Sequence, residues 1–165
     1  MNNITIDIDN LSESDRSAAK LLAEKAVEPK VWKPKIGKPY FYVDDTGNIC
    51  EKVWVSNYAD CIRYELGNCY PTYEKAEFAF EKLKVTTELE RFAEEHNDKE
   101  IDWKNGRQSK HFLYYDFPQK TIATEHYFCT KENKVYFTSY GIARQAVGAI
   151  GEDRLKKYYF NVQDD

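Results

Sequence analysis

The 165-residue chain has a single methionine and only seven glycines, none of them in a Gly-rich run. G-x-x-x-x-G-K-S/T is absent, which excludes a P-loop, and so are G-x-G-x-x-G, H-E-x-x-H and G-x-S-x-G. The four cysteines, Cys50, Cys61, Cys69 and Cys129, form no C-x-x-C pair. A structural zinc needs thiolates or imidazoles paired at short spacing, because four ligands converge on a tetrahedron. No metal or other cofactor is therefore expected. No apolar run reaches the roughly 20 residues of a membrane helix, so no membrane partner is expected. No charged-then-apolar leader is visible. The cysteines then read as reduced thiols in an intracellular protein.

What is present is a composition able to fold. Hydrophobic residues make up 42% and charged residues 32%, enough for a core and a soluble surface, which argues against disorder. Aromatics are in surplus at 15%, with 13 Tyr, 9 Phe and 3 Trp. The net charge of −4 lacks the basic surplus of a general nucleic-acid binder. That charge is uneven. Lys30, Lys33, Lys35 and Lys38 crowd 29–39 with no acid among them. Seven acids fall in 88–102 against Arg91 and Lys99. Both runs read as solvated surface, or more sharply as an acidic face (Glu88, Glu94, Glu95, Asp98) that meets a basic partner.

The pattern divides the chain into an N-terminal arm and helix (1–28), a Pro/Lys strap (29–39), a first repeat (40–97), a connecting loop (98–110) and a second repeat (111–165), in one compact domain. Ile4, Ile6 and Ile8 alternate with polar residues, as in a strand or extended arm. Ser12-x-x-Asp15 opens a helix over about 12–27. Residues 40–43 and 49–55 read as a hairpin around Asp45-Thr46-Gly47-Asn48. Residues 57–70 are ambiguous, with Cys61–Tyr64 readable as strand. Thr72 caps a helix to about 84, and Thr87-x-x-Glu90 is a second capping box that predicts a separate helix after it. Residues 111–115 and 121–129 predict a second hairpin and 135–137 a short strand. Ser139 caps a further helix, and a last short one carries Leu155.

At an offset of 67, Thr72 meets Ser139, Tyr73 meets Tyr140, Ala76 meets Ala143, Ala79 meets Ala146 and Leu83 meets Ile150. The pairing of small residues on one helix face suggests an internal duplication. The expected class is α+β: a duplicated antiparallel sheet-plus-helices unit, strand-strand-strand-helix-helix twice, after an N-terminal helix.

Chemistry is thinly signalled. His111 and His126 fall on neighbouring strands, where Cys129 could join one of them as a nucleophile. Asp44, Asp45, Asp60 and Glu65 lie near strand ends, where two converging carboxylates would serve acid–base work or Mg²⁺. Ordinary strand histidines and turn-forming aspartates account for the same residues. Trp32, Lys33, Lys35, Trp54, Arg63 and Tyr64 are the candidate binding residues. Aromatic faces stack on bases while Arg or Lys holds phosphate, and the same residues suit a protein-binding patch.

Four stretches, 6–16, 32–49, 60–84 and 135–160, carry a resemblance to uncharacterised small phage and prophage proteins of Firmicutes. Asp60, Arg63, Gly67-Asn68 and Thr72 stand out within it. The resemblance implies a phage accessory role in the cytoplasm of a host cell. The expected function is a non-enzymatic protein that binds a host or phage protein, with inhibition of a host defence system as one form. The alternatives are a nucleotide or nucleic-acid sequestering protein, and a small hydrolase or nuclease using Asp44, Asp60 or His111. A homodimer is compatible with the acidic, aromatic-rich composition.

Overall fold

The computed structural model describes residues 12–26 and 31–162, with the side chains of all of these except 21–26. The expected arm at 2–10, the side chains of Leu21, Leu22 and Ala26, and Pro29 and Lys30 of the strap lie outside what is described. The class is α+β. The elements run α1 (Glu13–Ala26), β1 (Pro39–Val43), β2 (Ile49–Val53), α2 (Tyr58–Glu65), α3 (Tyr73–His96), β3 (Lys110–Asp116), β4 (Thr121–Tyr127), α4 (Tyr140–Ile150) and α5 (Glu152–Arg154). A wide π turn, Leu155–Tyr159, follows.

The strands form two antiparallel pairs, β1 with β2 and β3 with β4. The first pair closes on an Asx turn. The Asp44 carboxylate accepts the N–H groups of Thr46 (2.9 Å) and Asn48 (2.8 Å), and Gly47 takes a positive φ of 85°. Gly47 also presses onto α3: a Cβ there would sit 2.7 Å from the Phe80 ring. Each pair gains one isolated antiparallel bridge on its first strand, Phe41 with Tyr70 and His111 with Phe137. The expected strand at 135–137 is thus a single bridge.

Two local expectations are corrected. Cys61–Tyr64 is helical, within α2, because Asn57 caps it by accepting the Asp60 N–H at 2.9 Å. The two helices expected over 72–97 are one, α3, of 24 residues and about 36 Å. Thr87-x-x-Glu90 starts nothing. The neighbouring Thr86 hydroxyl donates to the Lys82 carbonyl within the helix at 2.8 Å, so no turn is broken there. Tertiary packing decides the matter, since Val85 before Thr87 and Leu89 and Ala93 beyond it are buried in one core.

That core holds α3 against β3, β4 and α4 through Leu113, Ile122, Phe137, Ala143, Ala146, Val147 and Ile150, with Leu155 closing one end. The N-terminal half of α3 carries the first hairpin, with Ala76 fully buried beneath it. One helix therefore serves both halves. Arg154 ties them further by gripping the Glu88 carboxylate with two guanidinium nitrogens, at 2.7 and 3.0 Å. The loop after α3 is pinned by Lys110, which is fully buried. Its ammonium donates to the carbonyls of Asn105 (2.8 Å) and Phe128 (2.6 Å) and lies 5.7 Å from the centre of the Trp103 ring.

Candidate functional site

The residues singled out for binding begin on the strap. Lys35 to Lys38 make a tight turn in which Gly37 takes φ of 78° and donates to the Trp54 carbonyl (2.9 Å). Trp54 returns a bond to the Lys38 carbonyl at 2.9 Å, so the strap runs as a continuation of the first hairpin. The Trp54 side chain points inward, with 3% of its surface exposed, and meets Tyr40 and Tyr64 edge-on at 5.6 and 6.2 Å. Lys33 lies 5.2 Å from the centre of the Tyr64 ring. Trp32 and Lys35 stay on the surface, Trp32 at 40% exposure.

Arg63 is occupied below this layer. Tyr40 and Asp60 are both fully buried, and the Tyr40 hydroxyl donates to Asp60 Oδ1 at 2.8 Å. The Val55 N–H fills Asp60 Oδ2 at 3.0 Å, and Lys52 Nζ approaches Oδ1 to 3.7 Å. Arg63 donates to the Tyr40 oxygen at 3.2 Å, and its guanidinium lies 4.1 Å from the centre of the Tyr42 ring. Burial pushes the Asp60 carboxyl up, yet the hydrogen bonds from Val55 and Tyr40 and the Lys52 charge hold it below its usual range. Burial and the Asp60 bond push the Tyr40 phenol up to about 12. The cluster is a charged anchor joining α2 to β1 and β2. Trp54, Arg63 and Tyr64 belong to this packed layer, whereas Trp32 and Lys35 do not, so the six residues do not converge on one open cleft.

The acidic candidates divide as well. Glu88 is engaged by Arg154, whose hydrogen bond lowers the carboxyl. Glu94, Glu95 and Asp98 are exposed. Hydrogen bonding by Thr138 holds the Asp98 carboxyl low.

The candidates for chemistry are placed as follows. His111 and His126 are direct cross-strand partners with rings 5.3 Å apart. Burial and the neighbouring His126 keep His111 below its usual pKa. Cys129 is exposed. Asp44 is the Asx-turn residue, drawn down to about 2 by the Asn48 N–H and the Thr46 hydroxyl. Among the described residues, no group of three His, Cys, Asp or Glu side chains could hold a metal ion.

A feature that the motifs did not point to lies in the second half. A groove of about 600 Å³ runs between β3, α3, residues 133–135 and the C-terminal turn. Tyr115, Phe117, Tyr159 and Phe160 line it together with Lys82 and Glu90 of α3. Phe117 is 71% exposed and packs edge-on against Tyr115 at 5.0 Å. The C-terminal Tyr-Tyr-Phe run was the one sequence signal for this wall. No family model, curated protein or solved structure matches the chain. Among the described residues, no helix is long and apolar enough to cross a membrane.

Proposed function

We propose that the chain is a non-enzymatic phage or prophage accessory protein that acts in the host cytoplasm by binding another protein, with a host defence component as the favoured target. One observation carries this reading. Val31, Trp32 and Ile36 on the strap, together with Val53, Val55 and Tyr58 beside it, are large apolar side chains left between 40% and 83% exposed. Trp and Tyr are favoured anchors at protein interfaces, and exposed apolar patches around them mark interaction surfaces. The burial of Trp54 and the engagement of Arg63 by Tyr40 weigh against the nucleotide-binding alternative, which needs a free stacking face and a free cation. The resemblance of four stretches to phage proteins supports the accessory role.

The two halves are read as copies of one ancestral unit. The matched caps Thr72 and Ser139, and the bridges made by Phe41 and His111, support that reading.

The test is capture from host lysate with the wild-type chain and with a Trp32→Ser, Ile36→Ser double variant. Both positions are on the surface, so the variant keeps its fold. The wild type is expected to recover a stoichiometric protein that the variant loses. Quenching of tryptophan emission by nucleotides at low salt, with no protein captured, would favour the alternative.

A further inference from the structure

We infer that His111 and His126 together chelate a divalent transition-metal ion of the Zn²⁺ class, with water in its remaining positions. This goes beyond the protein-binding reading and uses none of the residues on which that reading rests.

Strand pairing sets the geometry. His111 and His126 are direct partners across β3 and β4. His111 bonds away from β4, to Phe137, through both its N–H (2.8 Å) and its carbonyl (2.7 Å). Towards His126 it therefore forms a non-hydrogen-bonded pair. In that register antiparallel Cα atoms come closest, at about 4.5 Å, and the two side chains leave one face side by side. The imidazole centres stand 5.3 Å apart. A ring nitrogen lies about 1 Å from its ring centre, so two inward-turned nitrogens come within about 3 Å of each other, the spacing that two Zn–N bonds of about 2.0–2.1 Å require. Both rings are carried on paired strands, so the backbone already holds them together.

Two neighbours suit a bound ion. The Glu125 carboxylate is fixed by accepting the His126 backbone N–H at 2.9 Å, and the same oxygen faces His126 Nδ1 at 3.5 Å. A carboxylate on one ring nitrogen orients the imidazole and leaves Nε2 as the ligand atom. Thr124 precedes His126 by two residues, so it shares the face of the pair. Its hydroxyl is enclosed and has no hydrogen-bond partner. A metal-bound water supplies the donor that this oxygen lacks.

The donor set selects the ion. Imidazole nitrogens suit Zn²⁺, Ni²⁺ and Cu²⁺, whereas Mg²⁺ and Ca²⁺ require oxygens. Among the described residues, no third His, Cys, Asp or Glu completes the set, so the site is open rather than a closed structural centre. No thiolate takes part, and the cysteine spacing that excludes a structural zinc does not bear on it. The His126 side chain is 41% exposed, which gives the ion a way in.

The test titrates ¹⁵N-labelled full-length protein with Zn²⁺ at neutral pH and follows the imidazole nitrogens by NMR. One nitrogen of His111 and one of His126 are expected to shift together along a single saturation curve, with His96 unmoved and Mg²⁺ without effect. His126→Gln, a change at an exposed position, is expected to abolish the His111 shift or weaken it by about tenfold or more, because chelation makes the second bond intramolecular. His111→Gln should do the same to His126. Thr124→Val should weaken binding less than either. Shift of His126 alone, an undiminished His111 shift in His126→Gln, or no shift of either ring at millimolar Zn²⁺ would overturn the proposal.

Discussion

Asn68 and Val43 are joined as two strand residues would be: the Asn68 amide nitrogen donates to the Val43 carbonyl at 2.7 Å, and its oxygen accepts the Val43 N–H at 2.8 Å. The pairing fastens the turn after α2 to the end of β1. Replacing Asn68 with Ala leaves two half-buried backbone groups without partners, at a cost of about 2 kcal/mol. Urea unfolding of Asn68→Ala measures this directly, and a change under about 0.5 kcal/mol would show that the pairing is incidental.

The Tyr40–Asp60–Arg63 anchor behaves as a unit. Asp60→Ala removes a fully buried carboxylate and strands the Tyr40 hydroxyl, the Val55 N–H and the Arg63 charge. Breaking a buried pair from one side typically costs about 3–5 kcal/mol. Tyr40→Phe deletes one hydrogen bond and leaves the carboxylate its other partners, for about 1–2 kcal/mol. Chemical denaturation of both variants should give this order, and equal losses would mean that the charge on Asp60 is not what matters.

Acid sensitivity has a definite sign. Asp44 is held at about 2 in the folded chain, below its ordinary value of 3.8. Its contribution is fully present above pH 4 and fades as pH falls through about 2. Asp60, also lowered, adds in the same direction. Stability of Asp44→Ala followed from pH 5 to pH 2 should decline less steeply than that of the wild type. Parallel curves would contradict the Asx-turn assignment.

The Glu88–Arg154 pair looks strong in geometry and is weak in energy. Its side chains remain 40% and 39% exposed, so solvent screens the attraction. A double-mutant cycle on Glu88→Gln and Arg154→Gln should return a coupling below about 1 kcal/mol that shrinks further in 0.5 M salt. The hydrophobic contact between α3 and α4 holds the halves together, and Leu89→Ala should cost several times more, about 2–5 kcal/mol.

Features governed by near neighbours in the chain were legible in the sequence. Thr72 and Ser139 cap helices as their types predict, and the first hairpin follows from its Asp-Thr-Gly-Asn turn. Ser12 also starts α1, accepting the Asp15 N–H at 3.2 Å. The continuity of α3 was not legible, because Thr87-x-x-Glu90 carries a genuine start signature. Only the distant partners of Val85 and Leu89 overrule it. Trp54 and Arg63 looked like ligand contacts for the same reason, since Tyr40 and Asp60, which enclose them, are brought in by tertiary folding. Lys110 gave no warning of burial, as two backbone carbonyls and an indole satisfy it without any acid. The β3 groove brings together residues of α3, β3, the 133–135 segment and the C-terminal turn, and hydrophobic periodicity does not record that.

The protein-binding reading is tested most directly by paired capture from host lysate with wild-type chain and the Trp32→Ser, Ile36→Ser variant. The account predicts one stoichiometric protein on the wild type, absent from the variant, with identical thermal unfolding of the two. Undiminished capture by the variant, or no stoichiometric protein on either, would contradict it.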